Sequence, residues 1–162
     1  SNSMFKLLRV DNRLVHGQVA FSIVSAYKIK KIIVANTKYA TTPMLKMTLQ
    51  IGKPSGVKMD IFKLEDAINY INTTTDNLEE TLVVTIDPKD AEKLVLDTKY
   101  TGDVCLGGVV DGEGKKFVHS QVFLSQDEVD SIKKMVEAGA NVYAQDVPSN
   151  KSLSAKDIIE SY

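Results

Sequence analysis

Apolar and polar positions follow two different periods along this chain. Uninterrupted apolar runs rich in β-branched residues are typical of strands inside a parallel sheet, whereas apolar residues that recur every three or four positions indicate helices. Short stretches rich in apolar residues predict strands at 5–10, 31–35, 57–62, 81–86, 103–108 and 140–147. The run at 140–147 is the last strand that the pattern predicts.

A segment with helical spacing follows each predicted strand. These segments cover residues 17–27, 42–51, 64–71, 88–97, 125–139 and 155–162. Ser125 and Glu128 have the spacing of a capping box, and Gly139 suits the end of the same helix. Residues 117–125 follow a glycine-bearing turn and add a short antiparallel piece. Strands that alternate with helices predict an α/β protein, with three layers (α/β/α) around a mostly parallel central sheet.

The length of 162 residues fits one domain with a sizeable core. We therefore predict a single domain over residues 4–162. Residues 1–3, which precede Met4, are interpreted as an expression scar and are left out of the fold prediction. The chain shows no apolar run of the length that a signal peptide or a membrane span requires. We therefore expect a soluble protein of the cytoplasm.

Composition narrows the classes of function. Hydrophobic residues make up 43% and charged residues 25%, the balance of an ordinary globular protein, and the net charge of -1 argues against a nucleic-acid partner. Cys105 is the only cysteine, which excludes an internal disulfide and predicts a small core residue. Two distant histidines give no metal-ligand spacing, and the glycine motifs of nucleotide-binding loops are absent. We expect neither a metal nor a cofactor.

The stretch RVDNRLVHGQVA, residues 9–20, concentrates the unusual chemistry of the chain. It contains Arg9 and Arg13, which are the only arginines, and His16, which is one of two histidines. A guanidinium binds an oxyanion through two parallel N–H bonds, and an imidazole exchanges a proton near neutral pH. The stretch joins the first predicted strand to the first predicted helix, where α/β sheets bind ligands and helix N-termini favour anions. It predicts a site for a phosphate-sized anion beside a nucleophilic imidazole.

Other polar and glycine residues have simpler interpretations. Asp11 lies in the same loop and suits the orientation of an imidazole through its second nitrogen. His119 has no arginine beside it and is predicted at the surface or at a strand edge. Gly107 and Gly108 are interpreted as the requirement of a turn rather than as a phosphate loop. For His16 alone, a capping or structural role is the alternative that its residue type favours.

The sequence RVDNRLVHGQV resembles the active-site motif of the IIB components in the mannose/fructose/sorbose family of bacterial sugar phosphotransferase systems. The usual form of that motif is R-[IV]-D-[DN]-R-[LI]-[IV]-H-G-Q-V, which this chain matches throughout. The similarity extends over residues 4–162 and includes the segments KIIVAN, DVCLGG, VFLSQDEVD and QDVP. This resemblance implies a phosphocarrier that acts as a subunit of a protein-phosphohistidine–sugar phosphotransferase.

The resemblance assigns a role to each matching residue. His16 stands where the family has its phosphorylated histidine, which usually carries the phosphoryl group on Nδ1. Arg9 and Arg13 fall on arginines that bind phosphoryl oxygens and the charge that develops during transfer. Asp11 falls on the aspartate that orients the loop and the imidazole. Gln18 matches the motif as well, although the resemblance gives it no defined role.

The same resemblance implies three partners and a location. The phosphoryl group comes from a phosphohistidine on a IIA phosphocarrier protein or domain, and it passes to a sugar during uptake through the membrane IIC/IID permease. The protein is then cytoplasmic and associates peripherally with the permease complex, and the family resemblance is compatible with a homodimer. Asn12 and the ending NVYAQDVP resemble the N-acetylgalactosamine/galactosamine branch more than the mannose branch.

Two other classes of function compete with the phosphocarrier. One is a small α/β enzyme in which His16 is a general acid/base while Arg9 and Arg13 bind a substrate phosphate, and the other is a pure binding module. A general acid/base enzyme needs a deep pocket with a second titratable group, and the sequence supplies none near His16. A carrier needs only an exposed histidine on a docking surface, so the phosphocarrier is preferred.

Overall fold

The computed structural model describes residues 4–162, so the interpretation of residues 1–3 as an expression scar lies outside the described residues. The strands are β1 (Leu7–Asp11), β2 (Lys31–Ala35), β3 (Lys58–Phe62), β4 (Thr81–Thr85), β5 (Asp103–Gly108), β6 (Lys116–His119), β7 (Val122–Leu124), β8 (Asn141–Ala144) and β9 (Leu153–Ser154). The helices are α1 (Gly17–Tyr27), α2 (Thr37–Thr41), α3 (Pro43–Gly52), α4 (Leu64–Thr73), α5 (Pro88–Thr98), α6 (Gln126–Glu137) and α7 (Ala155–Ser161).

Seven of these strands form one sheet in the order β3-β2-β4-β1-β5-β8-β9. Neighbouring strands are parallel except for β8 and β9, which are antiparallel. In the centre, Leu8 of β1 lies between Val83 of β4 and Val104 of β5. Strands β1 and β4 are buried along their whole length. The apolar residues that dominate both strands follow from this, because helices cover both faces of a parallel sheet.

Helices pack on both faces of the sheet and form two hydrophobic cores. On one face α1, α2 and α3 pack through Ile23, Tyr39 and Leu49. On the opposite face α4, α5, α6 and α7 pack through Ile68, Leu94, Ile132 and Ile158. This arrangement confirms the predicted three-layer α/β/α fold with a mostly parallel central sheet.

Two elements were not predicted from the chain pattern. Helix α2 spans only five residues and begins where the Asn36 side chain accepts a hydrogen bond from the Tyr39 amide. The prediction that residues 140–147 form the last strand was wrong, because β8 ends at Ala144 and β9 then pairs with it in antiparallel register. Elements of two to five residues are too short to show a helical or strand period.

Between β5 and α6 the chain forms a separate antiparallel pair, β6 and β7. This pair confirms the antiparallel piece predicted at 117–125. Helix α6 begins at the predicted capping box, in which the Ser125 hydroxyl accepts from the Glu128 amide and the Glu128 carboxylate accepts from the Ser125 amide. Gly139 follows the helix with φ 101°, a left-handed conformation that glycine adopts without strain.

The helices are short, and α6 has 12 residues. None of the helices within residues 4–162 combines the length and the apolar character needed to cross a membrane. A bilayer core requires about 20 mostly apolar residues in one helix.

Candidate functional site

The carboxylate of Asp11 is the point where the predicted site residues meet. Asp11 is the last residue of β1, at the carboxyl edge of the sheet, and it is fully buried. Its oxygens lie 3.3 Å from Arg9 Nη2, 3.2 Å from Arg13 Nε and 3.3 Å from His16 Nε2. The structure thus brings one carboxylate, two guanidiniums and one imidazole together within β1 and the five-residue loop, 12–16, that follows it.

Arg13 binds the Asp11 carboxylate from the solvent side. Its main-chain amide and its Nε donate to Asp11 Oδ1 at 2.9 and 3.2 Å, and its Nη2 donates to Oδ2 at 3.3 Å. The Arg13 side chain is 38% exposed. Its Nη1 has no hydrogen-bond partner among residues 4–162 and is the guanidinium nitrogen left for another acceptor.

The surroundings of Asp11 keep its carboxyl ionised. Burial alone would raise the pKa of Asp11, but the hydrogen bonds from Arg13 and the positive charges of Arg9 and Arg13 outweigh burial and lower it below the ordinary value of 3.8. An ionised carboxylate accepts hydrogen bonds at both oxygens. Asp11 can therefore hold the arginines and His16 at the same time.

Arg9 lies beneath the site and holds Asp11 from the protein interior. It is 3% exposed, and besides Asp11 it donates to the carbonyl of Asp146 at 2.7 Å, to the carbonyl of Gln145 at 3.4 Å and to Cys105 Sγ at 3.5 Å. These partners occupy both terminal nitrogens of the guanidinium. In this arrangement Arg9 holds Asp11 from the protein interior, whereas Arg13 is the guanidinium that is exposed to solvent.

Gly107 and Gly108 lie in β5 beside this network, so the interpretation that they meet the requirement of a turn was wrong. The pairing of β1 with β5 shifts register between Val10 and Asp11, which places Asp11 opposite Gly108. A β-carbon on Gly108 would lie 3.1 Å from Asp11 Oδ1 and 3.0 Å from the Asn12 side chain. The side chains of the site therefore leave little room above the strand at this position.

His16 lies immediately before the first residue of helix α1. The residue is the N-cap, but its side chain makes no capping hydrogen bond, and the imidazole is 26% exposed. The preceding residues Leu14 and Val15 are buried and anchor the loop in the core. Leu14 has φ 59°, a left-handed conformation that costs roughly 1 kcal/mol and is sustained by the burial of its side chain. The imidazole is thus held at the surface by a rigid loop.

The two remaining polar candidates lie outside this network. Gln18 is in the first turn of α1, where it is exposed and its side chain makes no hydrogen bond within residues 4–162. His119 is at the end of β6, and its Nε2 lies 3.1 Å from the carbonyl oxygen of Lys151. The sequence predicted a position at the surface or at a strand edge, and in the structure His119 is partly exposed at the end of β6.

The residue types in the sequence do not reveal which groups accept hydrogen bonds from Arg9. Two of them are main-chain carbonyls of Gln145 and Asp146, in the loop that follows β8. Every residue carries such a carbonyl, so sequence chemistry does not distinguish them. The sequence indicated these two residues only indirectly. Both belong to the segment QDVP, which carries part of the family resemblance.

Cys105 is buried next to Arg9, and we predict that it is chemically inert in the folded protein. Burial raises the pKa of the Cys105 thiol to about 11, although the Arg9 guanidinium acts to lower it. A thiol reacts as its thiolate. Iodoacetamide at about pH 7 should therefore leave Cys105 unmodified in the native protein and alkylate it in urea, as measured by mass spectrometry. Equal alkylation in both conditions would contradict this prediction.

Metal-ligating residues are not clustered in the described part of the chain. Within residues 4–162 no group of three or more His, Cys, Asp and Glu side chains could hold a metal ion. The positive charge of the site comes from Arg9, Arg13 and the start of α1.

The fold and the site together define a class of α/β protein in which a histidine at the edge of a parallel sheet is paired with a buried aspartate between two arginines. The family model described as "PTS system sorbose subfamily IIB component" matches residues 5–162. The chain therefore belongs to the sorbose subfamily of IIB components of the sugar phosphotransferase system, and it is a phosphotransferase subunit. This confirms the family inferred from the motif.

Relatives with named specificities support the same assignment. The chain is 28% identical to the N-acetylgalactosamine-specific phosphotransferase enzyme IIB component 1 of Escherichia coli, across 93% of this chain and 96% of that protein. It is 27% identical to the mannose-specific EIIAB component of Escherichia coli, across 94% of this chain and 47% of that protein. The chain thus spans about half of the length of the EIIAB protein.

Solved structures share the fold. The crystal structure of the N-acetylgalactosamine-specific IIB component 1 from Escherichia coli has a TM-score of 0.83 at 27% identity and covers 93% of this chain and 98% of that chain. The IIB domain of the sorbose permease from Klebsiella pneumoniae has a TM-score of 0.88 at 23% identity, with 98% and 97% coverage. The Klebsiella comparison concerns the fold alone.

Proposed function

We propose that this protein is a phosphocarrier that takes a phosphoryl group onto His16 from the phosphohistidine of a IIA partner and passes it to a sugar. The observation that carries this proposal is the geometry of His16. Its imidazole is partly exposed, its Nε2 is held 3.3 Å from Asp11, and Asp11 is held in turn by Arg13. A nucleophile fixed in orientation beside an anion-binding side chain is what a carrier needs.

The pairing with Asp11 supports Nδ1 of His16 as the nitrogen that carries the phosphoryl group. A carboxylate only accepts hydrogen bonds, so the Nε2 of a neutral His16 must donate its proton to Asp11. The lone pair then lies on Nδ1. We propose that Nδ1 attacks phosphorus, that the N–P bond to His16 forms as the N–P bond of the donor breaks, and that a sugar hydroxyl oxygen later replaces Nδ1.

Positive charge for the transferred group comes from two sources. The Arg13 side chain is exposed and has a free Nη1 among the described residues. The start of α1 adds main-chain amides of its first turn, beginning at Gly17, which the helix itself does not use. Phosphoryl transfer needs mainly positioning and charge stabilisation. These groups would supply both without a metal or other cofactor.

The competing interpretation, in which His16 is a general acid/base, is less well supported. Asp11 is the titratable group in contact with His16, but it is fully buried and its pKa is lowered by hydrogen bonds and charges that outweigh its burial. It therefore stays ionised and serves as an acceptor rather than as a second proton donor. The family membership of the chain also favours transfer of a phosphoryl group.

Partners and location follow from the same proposal. One relative is named an EIIAB component, and this chain covers 47% of it. We propose that this protein receives its phosphoryl group from a IIA protein or domain. We also propose that it docks peripherally on a membrane IIC/IID permease at the cytoplasmic face. Identities to the N-acetylgalactosamine-specific and mannose-specific relatives are 28% and 27%. We therefore propose that the permease selects the sugar. A homodimer stays a prediction.

Phosphorylation in a reconstituted system tests the proposal directly. The protein is incubated with labelled phosphoenolpyruvate, the general phosphotransferase proteins and the cognate IIA. We expect one phosphate per chain, labile in acid and stable in base, as a phosphohistidine is. Failure to label the protein, or a label that resists acid, would overturn the phosphocarrier proposal.

Replacing Arg13 with Lys should slow phosphoryl transfer although the charge is kept. Lysine is a point charge and cannot hold both oxygens of Asp11 while it offers a further N–H group to the phosphoryl oxygens. We expect a decrease on the order of 10- to 100-fold in the rate at saturating donor, measured by rapid quench of the labelled protein. Equal rates for the two proteins would mean that Arg13 contributes only a docking charge.

A further inference from the structure

At Gly107 the guanidinium of Arg9 occupies the space where a β-carbon would be. A β-carbon at Gly107 would lie 2.1 Å from Arg9 Cζ and Nη2 and 2.7 Å from Nη1. Distances this short are not tolerated, so one of the two groups would have to move. The backbone of Gly107 is not in the left-handed region. Space above the strand, and not backbone conformation, therefore requires glycine at this position.

The contacts of the Arg9 guanidinium oppose its movement away from residue 107. Its guanidinium is buried and is held by Asp11, by the carbonyls of Gln145 and Asp146 and by Cys105. Any shift away from residue 107 would break several of these contacts at once. A buried charge that loses its partners is costly, so the position of the guanidinium depends on the empty space above Gly107.

The position of Arg9 in turn affects His16 through one atom. Asp11 Oδ2 accepts from Arg9 Nη2 at 3.3 Å and also lies 3.3 Å from His16 Nε2. An oxygen that is displaced or rotated loses its alignment with the imidazole. The proton of a neutral His16 would then be shared between its two nitrogens.

We propose that Gly107 is a positioning residue of the phosphoryl site. By leaving room for the Arg9 guanidinium, it keeps Asp11 aligned with His16 Nε2 and thereby keeps the lone pair on Nδ1. The same guanidinium joins this strand end to the Gln145–Asp146 loop, so the alignment depends on β1, β5 and β8 together. The consequence for transfer rests on the proposed phosphocarrier function, whereas the consequence for the imidazole proton does not.

Gly107→Ala tests the proposal, with Gly102→Ala as a matched control. We expect Gly107→Ala to slow phosphorylation of His16 at saturating donor on the order of 10- to 100-fold. It should also change the imidazole ¹⁵N shifts at alkaline pH from the Nε2–H tautomer towards a mixture. A β-carbon at Gly102 would lie 2.5 Å from the Tyr100 hydroxyl at the opposite end of β5. That variant should lose stability but keep the wild-type tautomer and rate.

A double variant shows whether Gly107 acts through Arg9. Arg9→Met removes the guanidinium, so adding Gly107→Ala to it should produce little further change in rate or in tautomer. If Gly107→Ala alone does not fold, recovery of a folded protein with Arg9→Met supports the proposal, and failure to recover contradicts it. Unchanged ¹⁵N shifts in Gly107→Ala, or full additivity with Arg9→Met, would overturn it. A wild-type protein that is not labelled at all would instead overturn the phosphocarrier function, while the tautomer still reports on positioning.

Discussion

Replacing His16 with Ala abolishes phosphorylation of this protein, and replacing His119 with Ala leaves it unchanged: this is the largest effect we expect. A phosphoryl group on His16 would have the exposed Arg13 guanidinium and the first turn of α1 to neutralise its charge. His119 lies at the end of β6 beside a main-chain carbonyl, an acceptor that would repel phosphoryl oxygens. The labelling reaction with phosphoenolpyruvate, the general phosphotransferase proteins and IIA measures both variants.

Each histidine variant is the control for the other, because these are the two histidines of the chain. His119→Ala should retain one acid-labile phosphate per protein, and His16→Ala should retain none. Circular dichroism of both variants checks that the fold is intact. Label that persists in His16→Ala would eliminate the proposed mechanism, and label lost only in His119→Ala would move the site to the β6–β7 pair.

Replacing Asp11 with Asn should damage both stability and phosphoryl transfer. The amide keeps one acceptor oxygen, but its NH₂ group would face the N–H donors of Arg9 or Arg13. Arg9 is buried and would lose its charged partner, which costs about 3 kcal/mol of unfolding free energy. His16 Nε2 would lose its carboxylate, and we expect transfer to slow on the order of 100-fold. Urea unfolding and single-turnover labelling measure the two effects.

The stability difference between wild type and Asp11→Asn should depend on pH in a defined direction. The folded-state pKa of Asp11 lies below the ordinary value of 3.8, because hydrogen bonds and charges from the arginines outweigh burial. The carboxylate therefore stabilises the fold fully above that ordinary value, and its contribution is lost as the pH falls through the lowered pKa. The difference between the two proteins should be constant near neutral pH and should shrink in acid.

Asp60→Asn is the matched control for this prediction. Asp60 pairs with Lys31 at 3.0 Å, but its side chain is half exposed, and a surface pair contributes only about 0–1 kcal/mol. We expect little loss of stability and no change in transfer. An Asp11→Asn protein that is as stable and as active as Asp60→Asn would show that the buried carboxylate does not organise the site.

Most of the fold could be predicted from the sequence because parallel strands buried on both faces leave a strong apolar signal. The runs at β2, β4 and β5 lie within one residue of their predicted ends. Short elements gave no such signal: α2 and β9 are defined by the Asn36 cap and by pairing with β8. Elements of five and two residues are too short to show a helical or strand period in the sequence.

The sequence by itself determined which residues form the candidate site of this protein. The motif around His16 places the arginines, the aspartate and the histidine within eight consecutive residues. Residues this close in the chain stay near one another whatever the fold of the remaining segments. It also indicated the family, which the match over residues 5–162 confirmed. Local spacing was sufficient because a strand end and a helix start meet at a single loop.

Only the tertiary structure decided how these residues divide their tasks. Arg9 and Arg13 are equivalent in the sequence, yet Arg9 is buried against the carbonyls of the loop after β8 and Arg13 is exposed. Gly107 has the residue type of a turn, but it lies in β5, where the Arg9 side chain of the neighbouring strand β1 fills the space above it. The reason is physical. The burial of a side chain, its main-chain acceptors and the space above a strand depend on elements that are distant in the chain, so no single segment of the sequence reports them.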